Sequence, residues 1–491
     1  MNLEQQKKQA RELLRAIRAG NPGALARLRT RHLRWANVDD ATARQEVALH
    51  DAQFVIAREQ GFASWTKLKL YAEASPRTRH TRLYVADIEW IADRVQGLMR
   101  TRQSAGPAAL EQIREWHPRF SACSDEEIRQ APFGEADAQL VYAREHGFET
   151  WDDLVRRVNL LASASQADAG EPFLAAFRAI ESGDAAAIES LLRDHPRLAQ
   201  ERGTNGNSLL NLAVSLAAKA GPDQSLACIA PLLASGADVN DPNDRGWTPL
   251  HQAAYANQCA IAAALTESGA ELDAEAHGSG GTPLIVALFW GHREVADLLG
   301  RHSTAPGNLR AAAGLGNHEL LNKCFTGKKT LTLEACAARG FYRPHSGFPD
   351  WQPSADPQEV LDEALVWAAK SGRTEVLARL VRARARLDAD PYRGTPLIWA
   401  AVRNRLETAE WLIDQGAPVN QKATFGGATH GQGVTALHMA AQSGHLAMVE
   451  ILIQRGADPK ITDDLHHGDA EGWANHSGQI AVADYLRSLA P

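Results

Sequence analysis

The 491-residue sequence is short of cysteine and lacks any long apolar run. Its five cysteines are scattered and include no CxxC pair, which argues against a disulfide framework or a thiolate zinc site and favours a reducing compartment. No stretch approaches the roughly 18 apolar residues of a membrane span, and the first residues form no apolar signal core. We therefore expect a cytoplasmic protein without a membrane segment.

Aromatic and β-branched residues are also sparse. Aromatic residues make up 6% of the chain, whereas alanine and leucine are abundant, and this composition favours helix over sheet. Because 491 residues exceed one compact core, we expect several domains or a repeat array.

Basic residues are not in excess over the whole chain, whose formal net charge is -7. They are concentrated at one end, since residues 1–120 hold about 21 Lys/Arg against about 13 Asp/Glu. The clusters at 27–34 and 77–82 are typical of a solvated helix face, and contact with an acidic partner is the alternative. We do not expect nucleic-acid binding from an acidic chain, although the basic first third keeps it open as a lesser hypothesis.

The motifs of common enzymes are absent from the sequence. It contains no GxSxG nucleophile elbow, no glycine-rich phosphate loop ending in GK[ST] and no HExxH zinc motif. We therefore lean against an enzyme, identify no catalytic residue and expect no cofactor.

Internal repetition is the strongest positive feature. Segments with a Thr-Pro-Leu-His-like opening occur at residues 248–254, 282–287, 395–401 and 435–441, the first two 34 residues apart. Each leads into a second apolar-periodic segment and then a glycine turn, such as 236–240. Threonine caps the first helix, proline at its first position loses no needed N–H, and the glycine supplies a left-handed C-cap. The pattern predicts stacked helix pairs.

This period, the TPLH opening and the Gly-Ala-Asp-x-Asn ending resemble the ankyrin repeat of bacterial ankyrin-repeat proteins, over about residues 206–303 and 361–491. The resemblance implies an all-α fold, an ankyrin-repeat solenoid with β-turn tips, preceded by a helical region of degenerate ankyrin-like units. It also implies that His251 and His438, at the histidine position of TPLH, bond within the turn and are structural.

The expected organisation has four parts. A helical N-terminal region spans 1–165, ankyrin repeats span 171–324, an insertion spans 325–360, and further repeats with a C-terminal cap span 361–491. The insertion interrupts the pattern after residues 308–321, which look like a repeat that has lost its TPLH opening.

The N-terminal region contains its own duplication. Residues 51–68 recur at 137–154 with about 11 of 18 positions identical, and each copy is expected to form a helix, a glycine turn and a helix. The aromatic residues that follow the turn are expected to be core anchors between helices, with an exposed contact as the alternative; they are Phe62, Trp65, Phe148 and Trp151.

The resemblance implies a scaffold that recognises a protein partner through its concave face, because a rigid array presents many side chains at little ordering cost. Aromatic and arginine side chains at the turn tips and first helices are the residue types of binding hot spots. We expect about half of the candidates to serve inter-repeat packing instead. The candidates are Arg245, Trp247, Tyr255, Trp290, Tyr392, Arg393, Trp399, Arg403, Phe425 and His430.

The alternative hypothesis is a small-molecule-binding or catalytic protein. Its groove pocket would be closed by the 325–360 insertion, whose aromatic and basic residues could hold an anionic or aromatic ligand. The lid residues would be Tyr342, Arg343, His345 and Trp351.

A carboxylate and histidine cluster near the end of the chain is the remaining unusual feature. Such residues can bind a divalent metal, but the same segment resembles a variant repeat start, and we favour that structural explanation. No metal is therefore expected, with these lesser candidates: Asp463, Asp464, His466 and His467.

Overall fold

The computed structural model describes residues 3–32, 35, 38–59, 65, 88–103, 107–163, 172–217, 221–243, 246–276, 280–303, 308–327, 329–336, 339–340, 342, 351–427 and 430–489. Two compact units result. The first comprises Met1–Ala179, Glu189–Leu209 and Asn243–Gly246, and the second comprises Ile180–Ile188, Leu210–Pro242 and Trp247–Pro491. The boundary expected between residues 165 and 171 stays a prediction.

The described residues of the first part of the chain form helices joined by turns and irregular segments. Its α-helices are Leu3–Arg18, Pro22–Arg31, Asp40–Glu46, Leu49–Glu59, Ile88–Gln103, Pro107–Trp116, Asp125–Gln130, Glu135–Glu145, Trp151–Ser163, Pro172–Ser182 and Ala185–Asp194. Short 3₁₀ turns lie at Pro118–Phe120, Pro196–Gln200 and Thr204–Gly206.

The two duplicated segments each begin with a helix whose first aspartate makes a similar contact. The aspartate that begins each copy accepts polar hydrogens from an element before it: Asp51 bonds the Trp35 indole N–H at 3.0 Å, and Asp137 lies 3.1 Å from the His117 ring. In the second copy the helix Glu135–Glu145 is followed by Gly147 with positive φ and then by Trp151–Ser163, as expected.

The aromatic residues after the duplicated turn pack into the core of the first unit. Trp65 packs against a cluster that includes Trp35 and Val55, and Phe148 and Trp151 pack against a cluster that includes Leu154. These three residues are therefore core anchors. Phe62 lies outside the described residues.

The described residues of the second part of the chain form eight successive helix pairs, which we number repeats 1 to 8. The pairs are Leu209–Ser215 with Pro222–Ala234, Pro249–Tyr255 with Cys259–Glu267, Pro283–Trp290 with Arg293–His302, Leu309–Leu315 with His318–Lys323, Pro357–Lys370 with Thr374–Arg382, Pro396–Val402 with Leu406–Asp414, Ala436–Gln442 with Leu446–Gln454, and Ala470–His476 with Ile480–Ser488. Their facing sides are rich in buried alanine and leucine, which allows close helix packing.

The histidine of the TPLH motif joins neighbouring repeats. In repeat 2 the side chains of Thr248 and His251 cap the first helix together, and His251 Nε2 lies 3.0 Å from the Gly281 carbonyl oxygen of the next turn. In repeat 7 His438 makes the same contact with the Gly468 oxygen at 3.1 Å. The structural role expected for these buried histidines is confirmed.

A second set of contacts fixes the spacing of the repeats. A side chain at the start of a second helix reaches a carbonyl oxygen at the end of an earlier first helix: His292 reaches Tyr255 at 2.9 Å, and His445 reaches Val402 at 3.1 Å. Because these carbonyls have no partner within their own helix, each contact satisfies a group that would otherwise be orphaned.

The insertion leaves the stack intact. It carries a small antiparallel hairpin, Phe325–Thr326 with Thr330–Leu331, and a short helix, Leu333–Cys336. The first helix of repeat 5 then packs directly on that of repeat 4. Repeat 4 is thin at this point, since a Cβ on Gly314 would lie only 3.0 Å from a Leu288 methyl carbon. Thus side chains of repeats 3 and 5 meet across repeat 4.

A second hairpin occupies the long tip that was expected to be a loop. Ala423–Phe425 pairs antiparallel with Gly431–Val434, and Phe425 lies opposite Gly431. The two hairpins are minor additions, and the fold is an all-α solenoid as expected.

Candidate binding face

Aromatic side chains from three repeats meet at the ends of the first helices. The ring of Trp399 in repeat 6 lies 6.1 Å from Phe289 and 6.5 Å from Trp290, both in repeat 3. Trp367 of repeat 5 also contacts Phe289, at 6.4 Å. Edge-to-face geometry and burial place Phe289, Trp367 and Trp399, which we call the aromatic cluster, in the solenoid core, and Trp290 lies half-buried at its edge.

Several predicted contact residues are therefore core residues, which corrects the prediction. Trp399 is only 1% exposed, and Trp247 and Phe425 are also buried. Phe425 packs on Trp399 at 5.0 Å, while Trp247 packs on Tyr255 at 5.4 Å. The concave face that was expected to bind a partner is filled at this point, because Phe289 of repeat 3 meets Trp367 of repeat 5 and Trp399 of repeat 6 across the thin repeat 4.

Arg393 is a structural residue as well. Its guanidinium is buried and donates to the carbonyl oxygens of Phe425 at 3.1 Å and Gly427 at 2.6 Å, in the turn of the second hairpin. The planar fork of arginine can satisfy several carbonyls at once, so Arg393 holds the hairpin and is not available to a partner. This also corrects the prediction.

Three of the predicted residues do form a surface, which we call the Tyr255 surface: Tyr255, Trp290 and Arg403. Tyr255 is 41% exposed, and the other two are half-buried. Tyr255 meets Trp290 edge to face at 5.5 Å, and the Arg403 guanidinium carbon lies 6.0 Å from the Trp290 ring.

Arg403 has few partners for its charge. Within the described part of the chain its guanidinium makes no hydrogen bond or ion pair, and its buried Nε has no acceptor. Burial, together with the nearby charge of Arg405, lowers the pKa of Arg403 to about 10, so it stays charged at neutral pH. A buried charge without a partner is costly, and a bound anion would reduce that cost.

The surroundings of Arg403 add positive charge and little negative charge. Arg405 donates to the carbonyl oxygens of Gly291 at 3.0 Å and Lys370 at 3.3 Å, and no carboxylate of the described residues pairs with it. Burial and the arginine charges lower the pKa of His292 to about 4, so this histidine is neutral at physiological pH. The Tyr255 surface is therefore electropositive.

The other predicted contact residues lie at different places. Tyr392 stacks on Trp351 with ring centroids 5.1 Å apart and planes 16° apart. His430 is half-buried beside Trp473, at 5.7 Å, and burial lowers its pKa. Arg245 lies outside the described residues.

Tyr342 and Trp351, the lid candidates that lie within the described residues, line a small pocket. Tyr342 is buried against Phe289 at 5.3 Å, and burial raises the pKa of its hydroxyl. With Trp351 and Tyr392 it lines a small cavity of about 20 Å³, which has room for about one water molecule. Arg343 and His345 lie outside the described residues.

The residues considered for a metal are used in a turn. Both carboxylate oxygens of Asp463 accept N–H groups, among them His466 N, Gly468 N and the Trp473 indole. Burial raises the pKa of Asp463, but these hydrogen bonds outweigh it and lower the value to about 2. Asp464 instead pairs with Lys422 at 2.7 Å. Among the described residues no group of three His, Cys, Asp or Glu is placed to hold a metal ion.

Sequence reasoning missed a polar group buried beside the aromatic cluster. Glu363 is paired with Arg310 at 2.7 Å and with Arg339, and Lys370 ends the same helix. All four residues are buried. The available signal was the presence of charged residues in the otherwise apolar segment 360–370.

Comparison with known families agrees with the architecture. A family model described as "Ankyrin repeats (3 copies)" matches residues 214–311 and 348–423, and one described as "Ankyrin repeats (many copies)" matches 397–453. Residues 214–311 and 348–453 thus match ankyrin-repeat models, in agreement with the all-α solenoid of the structure.

Curated relatives are similar over the repeats. The Caenorhabditis elegans "Ankyrin repeat and KH domain-containing protein mask-1" is 29% identical over 236 residues, 48% of this chain and 8% of that protein. The human "Ankyrin repeat and SOCS box protein 3" is 36% identical over 98 residues, 19% of this chain and 18% of the relative. The mouse "Palmitoyltransferase ZDHHC13" is 45% identical over 67 residues, 14% of this chain and 10% of the relative.

The chain thus covers less than a fifth of the length of these three relatives. All three are eukaryotic, so they do not support the expected bacterial origin. In the described residues, no helix is long and apolar enough to cross a membrane.

Proposed function

We propose that the solenoid is a scaffold that binds an acidic segment of a protein partner on the Tyr255 surface. The repeats and their relatives support a protein-interaction scaffold, and they do not favour the alternative of a small-molecule or catalytic protein. The proposal of an acidic partner segment rests mainly on Arg403. Its guanidinium is half-buried and has no hydrogen-bond acceptor or carboxylate partner among the described residues.

The side chains of the Tyr255 surface determine which kind of partner segment it would bind. A carboxylate can take both ends of a guanidinium in a bidentate pair, which is among the strongest hydrogen-bonded contacts in proteins. Arg405, close enough to lower the pKa of Arg403, would add attraction for the same anion. Tyr255 and Trp290 provide apolar contact beside it, so we expect an Asp or Glu next to an apolar residue in the partner.

Localisation and origin are proposals of the same kind. The five cysteines are free, as expected in a reducing compartment, and we propose a cytoplasmic protein of bacterial origin. The bacterial origin rests on the sequence resemblance.

Selection from a peptide library on the whole protein tests the proposed partner chemistry. The bound peptides should be enriched in Asp or Glu beside an apolar residue, and their affinity should fall as salt concentration rises. Arg403→Glu should weaken the best peptide at least tenfold, because it replaces attraction by repulsion.

Arg382→Glu is the matched control, because it makes the same charge change on an exposed arginine of a second helix. It should bind the peptide as the wild type does. Equal losses in the two variants would show a general charge effect, and an unchanged affinity in Arg403→Glu would refute the proposed surface.

A further inference from the structure

Two cysteines flank the small hairpin of the insertion, which we call the first hairpin. Cys324 directly precedes its first strand, Phe325–Thr326, and Cys336 ends the short helix Leu333–Cys336 that follows its second strand. Cys324 is buried, and Cys336 is half-buried. The two thiols therefore belong to one short segment, 324–336, between repeats 4 and 5.

Thr332 connects the two cysteines. Its backbone N–H donates to the Cys324 carbonyl oxygen at 3.0 Å, which extends the register of the first hairpin by one pair. Its Oγ1 accepts from Ala335 N at 3.1 Å and so caps the helix that carries Cys336. Paired residues of antiparallel strands have Cα atoms about 5.5 Å apart, and residues four apart in a helix about 6 Å. Both cysteines thus adjoin the same residue, and the Cα separation of about 4.4–6.8 Å that a disulfide needs is within reach.

The two thiols also interact electrostatically. Burial raises the pKa of the Cys324 thiol, and Cys336 raises it further. Because such an interaction weakens with distance, this effect agrees with the proximity that the hairpin geometry gives. Burial raises the pKa of Cys336 as well, but the charge of Arg339 opposes that shift. Cys336, half-buried and close to a cation, is therefore the thiol that is more open to a dissolved oxidant.

We propose that Cys324 and Cys336 form an oxidation site that a hydroperoxide converts into a disulfide. With hydrogen peroxide, the Cys336 thiolate attacks one oxygen, the O–O bond breaks, and a sulfenic acid and hydroxide form. The Cys324 thiolate then attacks the sulfenic sulfur, an S–S bond forms, and the second oxygen leaves as hydroxide. The two sulfurs lose two electrons, which the peroxide gains, and the two thiol protons convert both hydroxides into water. This site is separate from the partner-binding proposal and does not depend on it.

Oxidation at this site restricts the connection between repeats 4 and 5. Arg339, three positions after Cys336, pairs with Glu359 at 3.1 Å and with Glu363, both in the first helix of repeat 5. The disulfide closes the segment 324–336 into a ring and so excludes conformations in which the short helix leaves the first hairpin. We expect hydrogen exchange within this segment to slow at least tenfold on oxidation.

Disulfide mapping of the full-length protein tests the proposal. Reduced protein is treated with hydrogen peroxide, the remaining thiols are blocked with N-ethylmaleimide in denaturant, and trypsin is added without reductant. Cleavage after Lys329 and Arg339 places the two cysteines on different peptides, which end at 329 and span 330–339. We expect these peptides to be joined and to separate when dithiothreitol is added.

Cys259 is the matched control cysteine. It is also half-buried, burial raises its pKa, and the charged groups near it are Glu294, Arg301 and Asp297. It should be recovered as the maleimide adduct at peroxide concentrations that join Cys324 to Cys336.

The variant Cys336→Ser completes the test. It should give no joined peptide, and peroxide should leave its hydrogen exchange in 325–336 unchanged, while circular dichroism shows that helicity is retained. If peroxide modifies Cys336 without joining it to Cys324, or if Cys324 joins Cys228 or Cys259 as often as Cys336, the proposal is wrong. A joined peptide with unchanged hydrogen exchange in the wild type would refute the effect on the connection between the repeats.

Discussion

Replacement of Trp399 by alanine distinguishes a core residue from a binding residue. The side chain is almost fully buried and contacts Phe289 and Trp290 of repeat 3, Lys370 of repeat 5 and Phe425 of the second hairpin. Removing a buried tryptophan costs about 3–5 kcal/mol, and loss of the desolvated contact with the Lys370 amine adds about 1 kcal/mol. We therefore expect Trp399→Ala to destabilise repeats 5 and 6 by about 5 kcal/mol.

Two measurements detect this loss. In a repeat array the weakened units unfold first, so urea unfolding followed by circular dichroism should show an early transition. Hydrogen exchange should accelerate in the helices Pro357–Lys370 and Pro396–Val402. The matched control is Trp411→Ala, a half-buried tryptophan on the second helix of repeat 6. If Trp399→Ala unfolds like the wild type, or no earlier than the control, the aromatic cluster does not support the stack.

Other contacts give smaller tests. Gly291→Ala should lower the free energy of unfolding by more than about 2 kcal/mol, because a Cβ would lie 2.6 Å from the Lys370 carbonyl oxygen at a φ of +69°. Gly236→Ala is the control in the same urea experiment. It should cost about 1 kcal/mol, because φ is +85° but the space around the Cβ is open. The pKa of Asp463 is lower in the folded protein than in the unfolded chain, so its carboxylate stabilises the fold above about pH 4 by about 2 kcal/mol. This contribution is lost as pH falls toward 2. In Asp463→Asn the free energy of unfolding should therefore fall less between pH 4 and pH 2 than in the wild type. His438→Ala removes the imidazole contacts with Thr435 and with the Gly468 carbonyl oxygen, which keeps its bond from Asp463 N, and should cost about 1–3 kcal/mol; an unchanged urea midpoint would show that the imidazole does not stabilise the turn. A fragment of residues 171–491 should fold, as judged by circular dichroism, and an insoluble fragment would show that the two parts of the chain share a core.

The repeats could be predicted because each local rule agrees with the fold. Thr248, Pro249 and His251 occupy the cap, the first helical position and the turn contact that their chemistry suits. The same sequence pattern returns in phase, so the stacking of the helix pairs follows from the motif alone.

Whether an individual side chain is buried or exposed could not be predicted in the same way. Trp399 and Tyr255 both lie on first helices, four residues after the capping Thr395 and seven after the capping Thr248, and one is 1% exposed and the other 41%. Trp399 is buried because the thin repeat 4 lets repeats 3, 5 and 6 meet. This packing depends on contacts between residues more than 100 positions apart in the sequence, such as Arg405 with Gly291. The structural role of Arg393 could not be predicted either, because it depends on the second hairpin, which was expected to be a loop.

The central claim is that a partner binds through Arg403, and a quantitative pull-down tests it most directly. Wild type, Arg403→Glu and Arg382→Glu would be used as baits in lysate of the source organism, and retained proteins would be quantified by mass spectrometry. We predict a protein that is retained by the wild type and by Arg382→Glu and lost from Arg403→Glu. The same retained proteins at equal amounts on all three baits would contradict the claim.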